Sequence, residues 1–154
     1  MKISDFLSKK SIIINLEAED KQSVIKEMVL LMVKNKEIKD ADEIIKVLMD
    51  REKLGSTGIG EGIAIPHGKS SVIKKICLVF GRSSTGVNFE ALDGGPVYLF
   101  FLLVAPREDA ENLHLKILAK LSRLLKDSHF RNLLKQAKDD SEILSIIKLG
   151  EEDR

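Results

Sequence analysis

His67 lies near the end of GSTGIGEGIAIPHGK (55–69), a fifteen-residue stretch with five glycines. An imidazole can act as nucleophile, base or metal ligand near neutral pH. Glycines lose more backbone freedom on folding than other residues, so this concentration of them requires a physical reason. Pro66 fixes its own φ, offers no amide hydrogen and biases Ile65 toward extended backbone. His67 therefore stands on a stiff base, and Gly68 permits close approach or a left-handed turn directly after it. By spacing alone two readings stay open: a histidine presented to something bulky and charged, or a loop histidine in a folded glycine turn.

Known phosphate loops do not fit. A P-loop needs four residues between its glycines before Lys-Ser/Thr, whereas five separate Gly62 from Gly68. The dinucleotide fingerprint fails as well, because Gly62 follows Gly60 one residue too early. Both motifs must also open a helix, and the residues that follow here read as a strand.

Two further residues could join His67. His114 falls on the apolar stripe of a helical pattern. At 100° per residue, Leu118, Leu121 and Leu125 lie within about 40° of it. A buried core histidine is the simpler account of such a position. However, the helix follows the strand VYLFFLLVA (97–105) closely, so its N-terminus belongs near the strand ends where α/β sheets place their sites. A helix N-terminus also favours phosphate. Arg51 ends a second helical pattern just before the glycines, and taken alone it is a solvated helix-end cation.

The remaining candidates carry less. His129 has no partner at useful spacing. The three histidines and one cysteine form no metal-ligand pattern, and no cofactor is expected. Ser56, Thr57 and Ser70 lack a nucleophile-elbow motif. Cys77 lies inside the apolar run ICLVF and reads as a buried, inert thiol.

The elements that would position these residues can be read from periodicity. IIINL (12–16), KKICLVFGR (74–82) and VYLFFLLVA read as strands. The last is apolar on both faces, as in a sheet covered on both sides. TGVNFEALDGGPV (85–97) has the chemistry of a small hairpin. Helices follow Asp20 and Asp40, with a third from about Asp109 to Lys126. Two short helices complete the chain, with Gly150 as a stop. This pattern predicts an α/β sandwich with a central mixed β-sheet flanked by helices on both faces. The 154 residues suit a single domain spanning 1–154. The 25 basic and 24 acidic residues nearly cancel, which argues against nucleic-acid binding through bulk charge. No apolar run is long enough for membrane insertion as a helix. One cysteine and no signal-peptide pattern make a cytoplasmic, reducing compartment the simplest expectation.

RE-x-LGSTGIGEGIAIPHGK, DGGPVYLFFLLVAP and HLKILAKLSRLLKD together resemble the enzyme IIA domain of the fructose/mannitol class. This class belongs to the bacterial phosphoenolpyruvate-dependent phosphotransferase system and includes the nitrogen-related regulatory members. The resemblance covers essentially the whole chain. It implies that His67 accepts a phosphoryl group, on Nε2, from the phosphocarrier protein HPr. Arg51 and His114 match the family's supporting arginine and second histidine. In those roles Arg51 would clamp the phosphate, His114 would donate to a phosphoryl oxygen, and the glycines would offer amides as an anion nest.

Two downstream roles are consistent with this resemblance. Transfer to a fructose- or mannitol-type enzyme IIB would serve transport, and phosphorylation-dependent binding to a target protein would serve regulation. A small-molecule sensor of the same fold is a third class. The LGSTGIG run resembles the nitrogen-related branch, and the length leaves no room for an attached IIB or membrane domain. The expectation therefore leans toward regulation.

Overall fold

A computed structural model of the chain describes residues 1–152. The molecule is built around β6 (Val97–Pro106), whose fully apolar interior demands cover on both faces. Before it come β1 (Ile12–Ile13), α1 (Lys21–Lys34), α2 (Ala41–Lys53), β2 (Gly58–Gly60), β3 (Ile63–Ala64), β4 (His67–Ser70) and β5 (Cys77–Val87). After it come α3 (Leu113–Leu125), α4 (Ser128–Gln136) and α5 (Asp140–Glu152). β5 runs antiparallel to β6 and carries β1 in parallel on its outer side. The other edge of β6 takes β3 and then β4, both parallel, with Ile63 opposite Leu99 and His67 opposite Leu103. β2 pairs antiparallel with β3. The sheet is therefore mixed.

Alternation along β6 divides the core into two layers. Phe100, Leu102 and Val104 pack with Val24, Met28 and Leu48 of α1 and α2. Leu99, Phe101 and Leu103 pack with Ile117 and Leu121 of α3, Leu134 of α4 and Ile147 of α5. Helices thus flank the sheet on both faces, as the sequence predicts. The caps are also as expected: the Asp20 and Asp40 carboxylates accept from the amides of Ser23 and Glu43.

Four expectations change. The glycine-rich stretch, in which only the backbone before Pro66 is expected to be extended, contains three short strands. The third helix begins at Leu113, because the Asp109 carboxylate caps it from outside by accepting the amides of Leu113 and His114. Gly150 does not stop α5. It sits inside the helix, where a Cβ would meet the Phe130 ring at 2.7 Å. The first strand is only Ile12–Ile13, whereas β5 extends to Val87 and joins β6 through the turn expected of 85–97. No helix among the described residues is long and apolar enough to cross a membrane.

Candidate functional site

His67 opens β4, immediately after the one break in the strand material that follows this edge of β6. At the break Pro66 has no amide to offer, but its carbonyl accepts the Leu103 amide at 2.9 Å, so the path along β6 continues. Ile63 and Ile65 belong to the layer of α3 to α5. By strand alternation His67 and Lys69 face the same way. Gly68 faces α2, where a Cβ would stand 2.7 Å from Val47 Cγ1. This glycine is required by close approach of strand and helix.

The imidazole is half-buried, and its Nδ1 lies 2.7 Å from the Ile65 carbonyl. A carbonyl only accepts, so Nδ1 carries the proton. In the neutral ring the free lone pair is then on Nε2. Burial lowers the His67 pKa from its ordinary value. The Ile65 hydrogen bond opposes this shift, Arg51 adds to it and Glu52 partly offsets it.

His114, in the first turn of α3, is 7% exposed, and its ring centroid lies 5.4 Å from that of His67. Neither of its ring nitrogens has a hydrogen-bond partner among the described residues. Burial first, then the positive fields of His67 and Lys69, push its pKa down to about 4, against the opposing field of Asp109. A buried imidazole with unmet donor and acceptor capacity can receive a polar group brought to His67.

Arg51, in the last turn of α2, donates from Nη1 to the Gly55 carbonyl at 2.8 Å. Its charge is felt at His67 from the α2 side of the strand. The two histidines are therefore brought together, and Arg51 ends α2 beside the segment that leads to them. Two glycines of the expected anion nest are engaged away from His67. Gly60 and Gly62, at φ +94° and +78°, make the β2–β3 turn against Asp93 and Tyr98. That turn precedes Ile63, and Ile63 is itself four residues, about 13 Å of strand, before His67. The α3 amides nearest His114 are likewise occupied by Asp109.

The chain matches the family model for the EIIA 2 component of the phosphoenolpyruvate-dependent sugar phosphotransferase system over residues 5–149. It belongs to this family. It is 42% identical over 147 residues to the fructose-specific EIIABC component of Bacillus subtilis, covering 96% of the chain but only 23% of that longer protein. It is 39% identical over 151 residues to a nitrogen regulatory protein of Bradyrhizobium diazoefficiens, covering 97% and 96% of the two chains. The crystal structure of the nitrogen regulatory protein IIA-Ntr from Neisseria meningitidis superposes with a TM-score of 0.87 at 34% identity, covering 94% and 98%.

In this EIIA phosphocarrier, three charged residues near the site have no role assigned from sequence. Lys69 is on the His67 face of β4. Glu52 is buried beside Arg51 and is paired with Lys21 at 3.0 Å. The Glu52 signal was present in the sequence, since a carboxylate stands on the apolar stripe Ile44–Leu48–Glu52 of α2. His129 lies exposed in the first turn of α4. Cys77 is buried, which raises its thiol pKa to about 12 and leaves it unreactive. The described residues contain no cluster of three or more metal-ligating side chains.

Proposed function

We propose that His67 accepts a phosphoryl group on Nε2 from the phosphohistidine of an HPr-type carrier. The observation that carries this reading is the Nδ1 hydrogen bond to Ile65, which leaves Nε2 as the nucleophile of a neutral ring. The Nε2 lone pair forms the new N–P bond in line as the carrier's N–P bond breaks, and its electron pair returns to the carrier's imidazole. The proton stays on Nδ1, hydrogen-bonded to the Ile65 carbonyl. Positive charge arising on the phosphorylated ring is stabilised by that carbonyl. Arg51 clamps the phosphoryl oxygens, and neutral His114 donates one hydrogen bond to them. Leu54 and Leu115, 85% and 59% exposed, follow Arg51 and His114 in sequence and suit a protein-borne phosphate donor.

The phosphorylation state then governs binding to a regulatory target. The 39% and 34% identities to two nitrogen regulatory relatives support that role. A second reading, transfer onward to a fructose- or mannitol-type enzyme IIB, is favoured by the 42% identity to the fructose-specific relative.

Incubation with enzyme I, HPr and phosphoenolpyruvate, read by intact mass, tests the common step. One acid-labile phosphate is expected on the wild type and none on His67→Ala. An unmodified wild type in the presence of active HPr overturns the proposal. Addition of a fructose-type IIB separates the two roles: loss of the label to IIB supports transport, and retention supports regulation.

A further inference from the structure

Behind His67 runs a series of contacts of which the transfer chemistry uses only the first. The Ile65 carbonyl holds the imidazole Nδ1–H. The Ile65 amide in turn donates to the Thr57 carbonyl at 3.0 Å. The Thr57 amide donates to Glu52 Oε1 at 3.1 Å, and its hydroxyl donates to Glu52 Oε2. Glu52 has a side chain only 2% exposed, and it is held from α1 by Lys21 at 3.0 Å. The Lys21 ammonium also sits 4.9 Å over the Phe89 ring. Both carboxylate oxygens are thus engaged at the inner end of a path that finishes on the nucleophile's ring.

A carboxylate in the last turn of a helix can cap none of the free carbonyls there, so burial of this charge needs another reason. Burying a carboxylate is costly unless it is paired and hydrogen-bonded, and such pairs are weak sources of stability. They are good at fixing geometry. From the same turn of α2, Arg51 holds the Gly55 carbonyl, so both ends of the Gly55–Thr57 segment are fixed by adjacent side chains.

We infer that Glu52 is a positioning residue for phosphoryl transfer: with Lys21 and Thr57 it braces Ile65, and through Ile65 it fixes the tautomer and direction of the His67 ring. This rests on His67 being the phosphoryl acceptor. Glu52 touches neither phosphate nor imidazole. Its effect is to keep Nε2 on the line of attack, where displacement by about 1 Å costs as much as a hundredfold in rate. Its negative charge also opposes the effect of Arg51 on His67. Besides Arg51 and Glu52, the other charged groups around the two histidines are Lys69 on β4 and Asp109 before α3.

The test uses Glu52→Gln and Thr57→Val, with Thr57→Ser as the conservative control. It has one readout that needs no phosphate donor. Nitrogen-15 NMR of the His67 ring is expected to show the Nδ1–H tautomer in wild type and Thr57→Ser, and a mixture of tautomers in the other two. With phosphorylated HPr, Glu52→Gln and Thr57→Val are expected to accept phosphate at least roughly tenfold more slowly. Half-saturation for HPr should stay within about twofold, because the docking surface is untouched. If Glu52→Gln does not fold, Thr57→Val decides alone, since it leaves the Glu52–Lys21 pair in place. An unchanged tautomer with an unchanged rate in a folded variant overturns the inference. Failure of the wild type to accept phosphate instead overturns the assignment of His67, and the NMR result still reports on the brace.

Discussion

At neutral pH both imidazoles of the site are uncharged, because burial lowers the pKa of His67 and takes that of His114 down to about 4. In the unfolded chain each returns toward its ordinary value near 6.5, so the unfolded state takes up protons first as the solution is acidified. The resulting contribution to stability is present above pH 6.5 and is lost as pH falls toward 4. For His114 it amounts to at most about 3 kcal/mol. Urea unfolding between pH 7 and 4.5 should therefore show a smaller loss of stability in His114→Asn than in the wild type, and equal losses would refute the neutral state of His114. Rates give a second check. Arg51→Ala and His114→Ala are each expected to slow phosphate uptake roughly tenfold to a thousandfold with the fold intact, and Arg51→Lys should recover part of the loss because it restores charge without the planar fork. Pro66 and Gly68 mark His67 in the sequence and helical spacing places His114 on a buried stripe, but spacing left a plain loop histidine and a core histidine open, and only the family resemblance gave either a role. Lys69 was not legible, since its orientation follows only once His67–Ser70 is known to be a strand. Glu52 stands on the Ile44–Leu48 stripe of α2, but a charge in the last turn of a helix is ordinarily solvated, and only the fold turns it inward onto Thr57 and Lys21.

The elements around the site were legible in proportion to their length. Helical periodicity revealed α1, α2 and α3, and the two-faced apolar run revealed β6. β2, β3 and β4 span two to four residues each, too few for a periodic signal, and exist because they pair along the sheet. Their placement can be tested through packing and through register. Gly68→Ala brings a Cβ against Val47 and is expected to destabilise the domain by about 1–3 kcal/mol. Val47→Ala should rescue it in the double variant, and additive losses in thermal melts would exclude the contact. Register gives a sharper outcome. Inserting one residue between Ala64 and Pro66 turns the imidazole to the α2 side if pairing of His67 with Leu103 shifts by one. Phosphate uptake should then vanish, while a two-residue insertion, which restores the face, should regain measurable uptake by intact mass.

The whole molecule has two apolar layers separated by one sheet, and the site takes parts from both. Arg51 and Glu52 come from α2 on one side, His114 comes from α3 on the other, and His67 comes from the strand between them. Leu48→Ala and Leu121→Ala, which hollow opposite layers, should each cost about 2–5 kcal/mol. In a urea series on either variant, the fraction of chains able to take phosphate should fall together with the far-ultraviolet signal, and uptake that survives loss of one layer would contradict the shared construction. His67 thus stands where the seam between the layers reaches the surface. A chain with one layer closed and the other open has its nucleophile but no complete receptor around it. On the proposed assignment of His67, phosphate labelling would therefore work as a census: the molecules it marks would be those folded on both sides of the sheet.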